Sequence, residues 1–120
     1  MPMKIIDIKK VETKDLSKEP LFTGGKVTGQ MLIDPDTDKD LHFLLIKFSA
    51  GSKNIFHKHS KGQILYCTEG AGIVATEKEE IVLKPGMIAY IPADEKHWHG
   101  ATKDSAFAHL SISVPYKTEF

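Results

Sequence analysis

The run Gly51-Ser52-Lys53-Asn54-Ile55-Phe56-His57-Lys58-His59-Ser60-Lys61-Gly62-Gln63, continuing through an apolar segment to Gly70, carries two histidines two positions apart. In an extended chain such a pair points to the same side. Gln63 follows His59 by four residues and opens the next apolar run. Some forty residues on, His97 and His99 repeat the spacing after a segment that ends at Pro92, and His109 shares the face of Ser111 and Ser113 on a late apolar strand. A lone His-x-His pair is more often solvated strand surface than a site. Two such pairs in one short β-rich chain bring the two readings level, the second being imidazoles that converge inside a barrel and offer neutral nitrogen ligands to a divalent metal.

Outward from this run, strand signals recur with turn punctuation between them. Residues 26–33 read as a strand closed by Asp34-Pro-Asp-Thr-Asp, and 41–49 as a strand closed by Ala50-Gly51. Residues 62–68 lead to Glu69-Gly70-Ala71-Gly72; 72–76 and 79–83 flank Glu77-Lys78 as a hairpin; Lys84-Pro85-Gly86 is a turn. Residues 87–91 run into Pro92, and 106–114 make a last strand before Pro115. Helix signals are poor, the longest helix-like stretch being Val11 to Lys18. Seven or eight short strands at this spacing predict an all-β sandwich or barrel.

The 120 residues suit one domain, with a barrel core over about residues 26–114. Sixteen basic residues balance sixteen acidic ones, so no global field draws the chain to nucleic acid or to anionic lipid. No segment approaches the roughly 20 apolar residues of a membrane helix, and Met1-Pro-Met-Lys-Ile-Ile-Asp has no apolar stretch of signal-peptide length. Cys67 is the only cysteine, so no internal disulfide forms; it reads as inert packing within Ile64-Leu65-Tyr66-Cys67. The expectation is a cytoplasmic protein in a reduced compartment.

The glycine and proline framework around the histidines resembles the cupin superfamily. Its first motif is met by Gly51, five residues, His57-Lys58-His59, Gln63 and Gly70, and its second by Gly86, five residues, Pro92-Ala93-Asp94-Glu95-Lys96-His97. Gln63 stands where many cupins carry Glu, and Asp94 replaces the usual glycine, a mild change because Asp tolerates turn geometry. Phe22-Thr23-Gly24, the string Glu95-Lys96-His97-Trp98-His99-Gly100-Ala101 and the strand Ala108-His109-Leu110 are similar to one group of small bacterial cupins. These resemble the cupin part of carboxymuconolactone decarboxylase-labelled proteins and the manganese-dependent cupin hydroxynitrile lyases. The resemblance implies a conical antiparallel β-barrel of jelly-roll type. It also implies one divalent metal, Mn before Fe, Ni, Co or Zn, held by His57, His59, Gln63 and His97. His99 and His109 would lie beside it as candidates for proton transfer.

Gln in place of Glu leaves the 2+ charge uncompensated, so the metal becomes a stronger Lewis acid that favours an anionic ligand and is held less tightly. Leu44, Ile46 and Phe48 share a strand face and are expected to narrow the pocket; the lyase group is smaller at the positions of Leu44 and Ile46. His42, on the same parity, is placed near the barrel rim, and Ser113 is a candidate lining residue. Trp98 must point away from its flanking histidines, into outer packing or a subunit interface. The expected function is a metal-dependent enzyme of lyase, isomerase or decarboxylase type acting on a small carbonyl, hydroxy or carboxylate compound. A metal-dependent dioxygenase and a non-catalytic sensor or ligand-binding protein are the alternatives. The expected partners are a small-molecule substrate and a second copy of the chain in a homodimer.

Overall fold

The computed structural model describes residues 3–120, and their strands follow the alternation of apolar and polar residues closely. In chain order the strands are β1 (Lys14–Asp15), β2 (Phe22–Thr23), β3 (Val27–Ile33), β4 (His42–Phe48), β5 (Lys53–Asn54), β6 (Lys58–His59), β7 (Gln63–Gly70), β8 (Gly72–Ala75), β9 (Glu80–Leu83), β10 (Ile88–Ile91), β11 (Trp98–Ala101), β12 (Phe107–Ser113) and β13 (Thr118–Glu119). The seven strands expected from the sequence appear as β3, β4, β7, β8, β9, β10 and β12. The stretch from Val11 to Lys18 is not helical: it holds β1, and the only helical turn among the described residues is a 3-10 turn at Ile8–Lys10. Asp15 explains the difference, because its carboxylate accepts the Ser17 N–H at 2.9 Å and closes a local turn in place of helix bonds.

All strand pairings are antiparallel. One sheet runs β1-β3-β4-β12-β7-β10, a second β2-β5-β11-β8-β9, and a two-stranded ladder joins β13 to β6. Before residue 26, β1 and β2 each join one of the large sheets, and after residue 114 β13 pairs with β6 outside them. The two larger sheets close a jelly-roll barrel over Val27, Ile46, Phe48, Leu65, Cys67, Leu83, Ile91, Ala101 and Phe107. Period-2 alternation sets what faces this core. Gln63, Leu65 and Cys67 of β7 and Phe107, His109 and Ser111 of β12 are buried, while Ile64 and Tyr66 face out. Cys67 is fully enclosed, and burial pushes its thiol pKa up, as inert packing requires.

A second cluster, Leu32, Leu45 and Ala108 with Val11, Phe43 and Leu110, lies on the opposite face of the larger sheet. Gln30 ties the N-terminal segment over it by donating to the carbonyls of Ile8 and Val11 at 2.8 and 3.0 Å. The rest of that face is bare, with Ile88 opposite Tyr66 and Tyr90 opposite Ile64, all four exposed. Gly51, Gly70 and Gly86 take φ of 78°, 72° and 88°, the left-handed region that a side chain makes costly.

Candidate metal centre

His57 and His97 face each other as an isolated antiparallel bridge, each backbone N–H donating to the other's carbonyl at 2.9 Å. Their imidazoles are held alike. Nδ1 of His57 donates to the Ile55 carbonyl at 2.6 Å, and Nδ1 of His97 to the Glu95 carbonyl at 2.9 Å, in each case two residues back. With the proton fixed on Nδ1, Nε2 must present its lone pair, and in both rings that buried Nε2 has no partner in the protein. His59, two residues beyond His57, sets its Nδ1 3.0 Å from the Thr118 hydroxyl. One ligand nitrogen from each of His57, His59 and His97 lies within 4.8 Å of the other two.

Burial governs the charge of this trio. It drives the pKa of His57 down to about 4 and that of His59 to about 3, the neighbouring histidines adding to the shift, and it lowers that of His97. All three are neutral near pH 7, which is the form a divalent cation requires. Carbonyl acceptors behind the ligating rings are the usual device for fixing their tautomer and raising their basicity. The residues present therefore fit a metal ion. Without one, His57 and His97 each leave a buried acceptor unsatisfied, at a cost of roughly 1–3 kcal/mol.

Gln63 sits on the first position of β7, buried in the wall of the same cavity. Its Nε2 donates to Ser111 Oγ at 2.7 Å, which orients the amide and leaves Oε1 buried without a partner. A neutral oxygen freed in this way has the chemistry of a metal ligand.

Next to the trio stand His99 and His109, with ring centroids 5.0 Å apart, both buried. Asn54 defines the state of His99. Its Oδ1 accepts the His99 backbone N–H at 2.8 Å, so its amide nitrogen is the group 3.1 Å from His99 Nε2. That nitrogen can only donate, so His99 Nε2 accepts and the ring proton resides on Nδ1, which has no partner. His109 is stacked on Phe48 and lies tilted against Phe107, and neither of its nitrogens has a hydrogen-bond partner. Burial lowers the pKa of His99 well below 6.5, with His109 contributing, and brings His109 down to about 4.

These groups line a cavity of about 60 Å³ whose apolar wall is Leu21, Phe22, Leu44, Ile46 and Phe48 and whose polar wall includes Asn54, Ser111 and Tyr116. The expected narrowing by Leu44, Ile46 and Phe48 is present. His42 is half-buried at the rim, its ring 4.9 Å from that of Tyr116 and its Nδ1 3.5 Å from Ser113 Oγ. Ser113 is thus a rim residue, and Ser111 takes the lining role. Trp98 points away from its neighbours, under the Lys53 ammonium at 4.4 Å from the ring centroid. Sequence reasoning missed Asn54, Tyr116 and Thr118. Asn54 had a signal: Ser52 and Asn54 are polar residues on one face, separated by Lys53, and both are buried.

A small antiparallel jelly-roll barrel with a histidine trio on its inner wall is the architecture of a cupin, and residues 44–113 match the cupin domain family. The chain belongs to that family. It is similar to an (R)-mandelonitrile lyase from Granulicella tundricola, at 31% identity over 89% of this chain and 83% of that protein. Among solved structures it is similar to a cupin-like protein from Thermotoga maritima, at 27% identity and a TM-score of 0.77 over 96% of this chain and 87% of the other. A polyketide cyclase from Streptomyces resistomycificus shares the fold, with a TM-score of 0.84 at 21% identity over 99% and 87% of the two chains.

Proposed function

We propose that this chain is a metal-dependent enzyme of lyase type acting on a small carbonyl, hydroxy or carboxylate compound. The observation that carries the reading is the pair His99 and His109. Both are buried in the wall of the cavity that His57 and His59 line, and His99 Nδ1 and both His109 nitrogens have no hydrogen-bond partner among the protein groups. A barrel that only stored metal gains nothing from three unsatisfied ring nitrogens, each costing roughly 1–3 kcal/mol. The relative from Granulicella tundricola, named as a lyase, supports the same class.

In this reading His57, His59, Gln63 and His97 hold one divalent ion, manganese before iron, nickel, cobalt or zinc. The ion supplies Lewis acidity, enhanced because all four donors are neutral. His99 presents a neutral Nδ1–H, a hydrogen-bond donor for a substrate oxygen on which negative charge develops. His109, neutral and unpartnered, takes the hydroxyl proton of a 2-hydroxy substrate as the carbonyl forms. The bond electrons leave with the departing carbon, and His109 returns the proton to it. Phe48 and Phe107 keep water from the His109 ring. Isomerisation needs the same two services, a donor for a developing oxyanion and a neutral proton acceptor, and decarboxylation needs the oxyanion donor with a group that delivers a proton to carbon.

The cavity also favours a small substrate: about 60 Å³ is well under the roughly 150 Å³ of a cavity that admits a benzene ring. The test is turnover of manganese-loaded protein on small cyanohydrins, 2-hydroxy acids and 3-oxo acids, repeated with His99→Ala and His109→Ala. The expected result is turnover that falls about 10²–10⁴-fold in His109→Ala while metal content and melting temperature hold. Metal-loaded wild type with no turnover on any of these compounds would refute the enzyme reading in favour of a binding protein.

A further inference from the structure

The three histidines of the trio are not held in the same way. His57 and His97 lean on backbone carbonyls two residues behind them, within their own bridge. His59 leans on a side chain, Thr118 Oγ1, that lies 59 residues away in sequence. That hydroxyl arrives on β13, which pairs only with β6, at Thr118 opposite His59 and Glu119 opposite Lys58, and belongs to neither large sheet.

The docking of this segment is slight outside the site. Ser60 N–H donates to the Lys117 carbonyl at 2.9 Å, and Lys117 N–H to Ser60 Oγ at 2.8 Å. The Lys58–Glu119 ion pair, at 3.5 Å, is exposed to solvent, where such pairs add little. Tyr116 adds a ring contact, its centroid 4.1 Å from that of His59 and 4.9 Å from that of His42. Burial pushes the Tyr116 phenol up to about 12, so it stays neutral beside the trio.

We infer that Thr118 is the positioning residue for His59, and that docking of the C-terminal strand β13 completes the metal site. This rests on the metal reading above. When His59 ligates through Nε2, its Nδ1–H donates to Thr118 Oγ1, as the other two donate to carbonyls, and Tyr116 closes the ring from the side. The third ligand is therefore set by a segment that can leave without opening either sheet.

The experiment is titration of the metal-free full-length chain with Co²⁺, followed by its visible absorption, and release of bound Co²⁺ to excess chelator. Wild type, Thr118→Val and Thr118→Ser are compared, with the melting temperature of each metal-free protein as control. Val keeps the shape and strand preference of Thr and removes the hydroxyl. The expected result is Co²⁺ affinity 10–100-fold weaker in Thr118→Val, with faster release and an altered spectrum. Thr118→Ser should restore all three, with all metal-free melting temperatures alike. If wild type takes up one Co²⁺ and Thr118→Val matches it, the positioning role is overturned and the metal reading stands. Equal weakening in Thr118→Val and Thr118→Ser, tracking a lower melting temperature, also overturns it, since the role would then be structural. Wild type that takes up no Co²⁺ overturns both.

Discussion

Asn54 grips His99 at two points, accepting its backbone N–H at 2.8 Å and standing 3.1 Å from its Nε2 with an amide that can only donate. The contact leaves the ring proton on Nδ1. Asn54→Asp replaces the donor with a second acceptor, so a neutral His99 must turn its proton to Nε2. Nitrogen-15 NMR of the imidazole should show the Nδ1–H tautomer in the wild type and the Nε2–H tautomer in the variant. The same tautomer in both proteins would mean that Asn54 does not set it.

Gln63→Glu adds a negative charge where Oε1 is buried and unpartnered. Ser111 Oγ, 2.7 Å from the Gln63 amide nitrogen, can donate to a carboxylate and keep it in place. Cancelling one unit of the cation's charge should slow manganese loss to chelator by on the order of tenfold, equivalent to about 1.4 kcal/mol. Equal loss rates would mean that Gln63 is not a ligand.

Acid should destabilise the metal-free protein through His109, whose pKa burial brings from 6.5 down to about 4. Above pH 6.5 the ring is neutral whether folded or unfolded, and no pH dependence arises. Between 6.5 and about 4 the unfolded chain takes up a proton that the folded chain refuses, so stability falls as pH falls, by about 3 kcal/mol in total. Below about 4 the folded form binds the proton as well and the slope ends. Leu at position 109 has nothing to protonate. Denaturant unfolding across this range should show a shallower loss in His109→Leu than in the wild type; parallel curves would contradict the assignment.

The bare strip on the outer sheet face, Ile64, Tyr66, Ile88 and Tyr90, gives the expected homodimer a place to form, since contiguous exposed apolar patches mark association surfaces. A Tyr90→Lys substitution puts a charge in this strip, opposite Ile64. Light scattering during size exclusion should report a dimer for the wild type and a monomer for Tyr90→Lys. A monomeric wild type would remove this surface from consideration.

Much of the barrel was legible because its inward strands alternate cleanly: Gln63, Leu65 and Cys67 against Ile64 and Tyr66 is a period-2 pattern with turn residues at its end. The motif spacing told more than propensity did, and Asp94, standing where the resemblance expects glycine, adopts φ of 66° as that turn requires. The strand β11 was not legible, since Trp98-His99-Gly100-Ala101 follows a loop, is mostly buried and shows no alternation. At the site, the histidine pairs were visible as spacing. Thr118 and Tyr116 were not, because nothing local to the five residues after Pro115 says that they return to a histidine 59 positions before Thr118.

Anomalous diffraction from crystals grown with Mn²⁺ would locate the ion directly. A single strong peak bonded to Nε2 of His57, His59 and His97 and to Oε1 of Gln63, at roughly 2.0–2.3 Å, is the predicted result. A peak elsewhere, a peak that leaves Gln63 Oε1 unbound, or no peak at full Mn²⁺ loading would contradict the four-ligand centre.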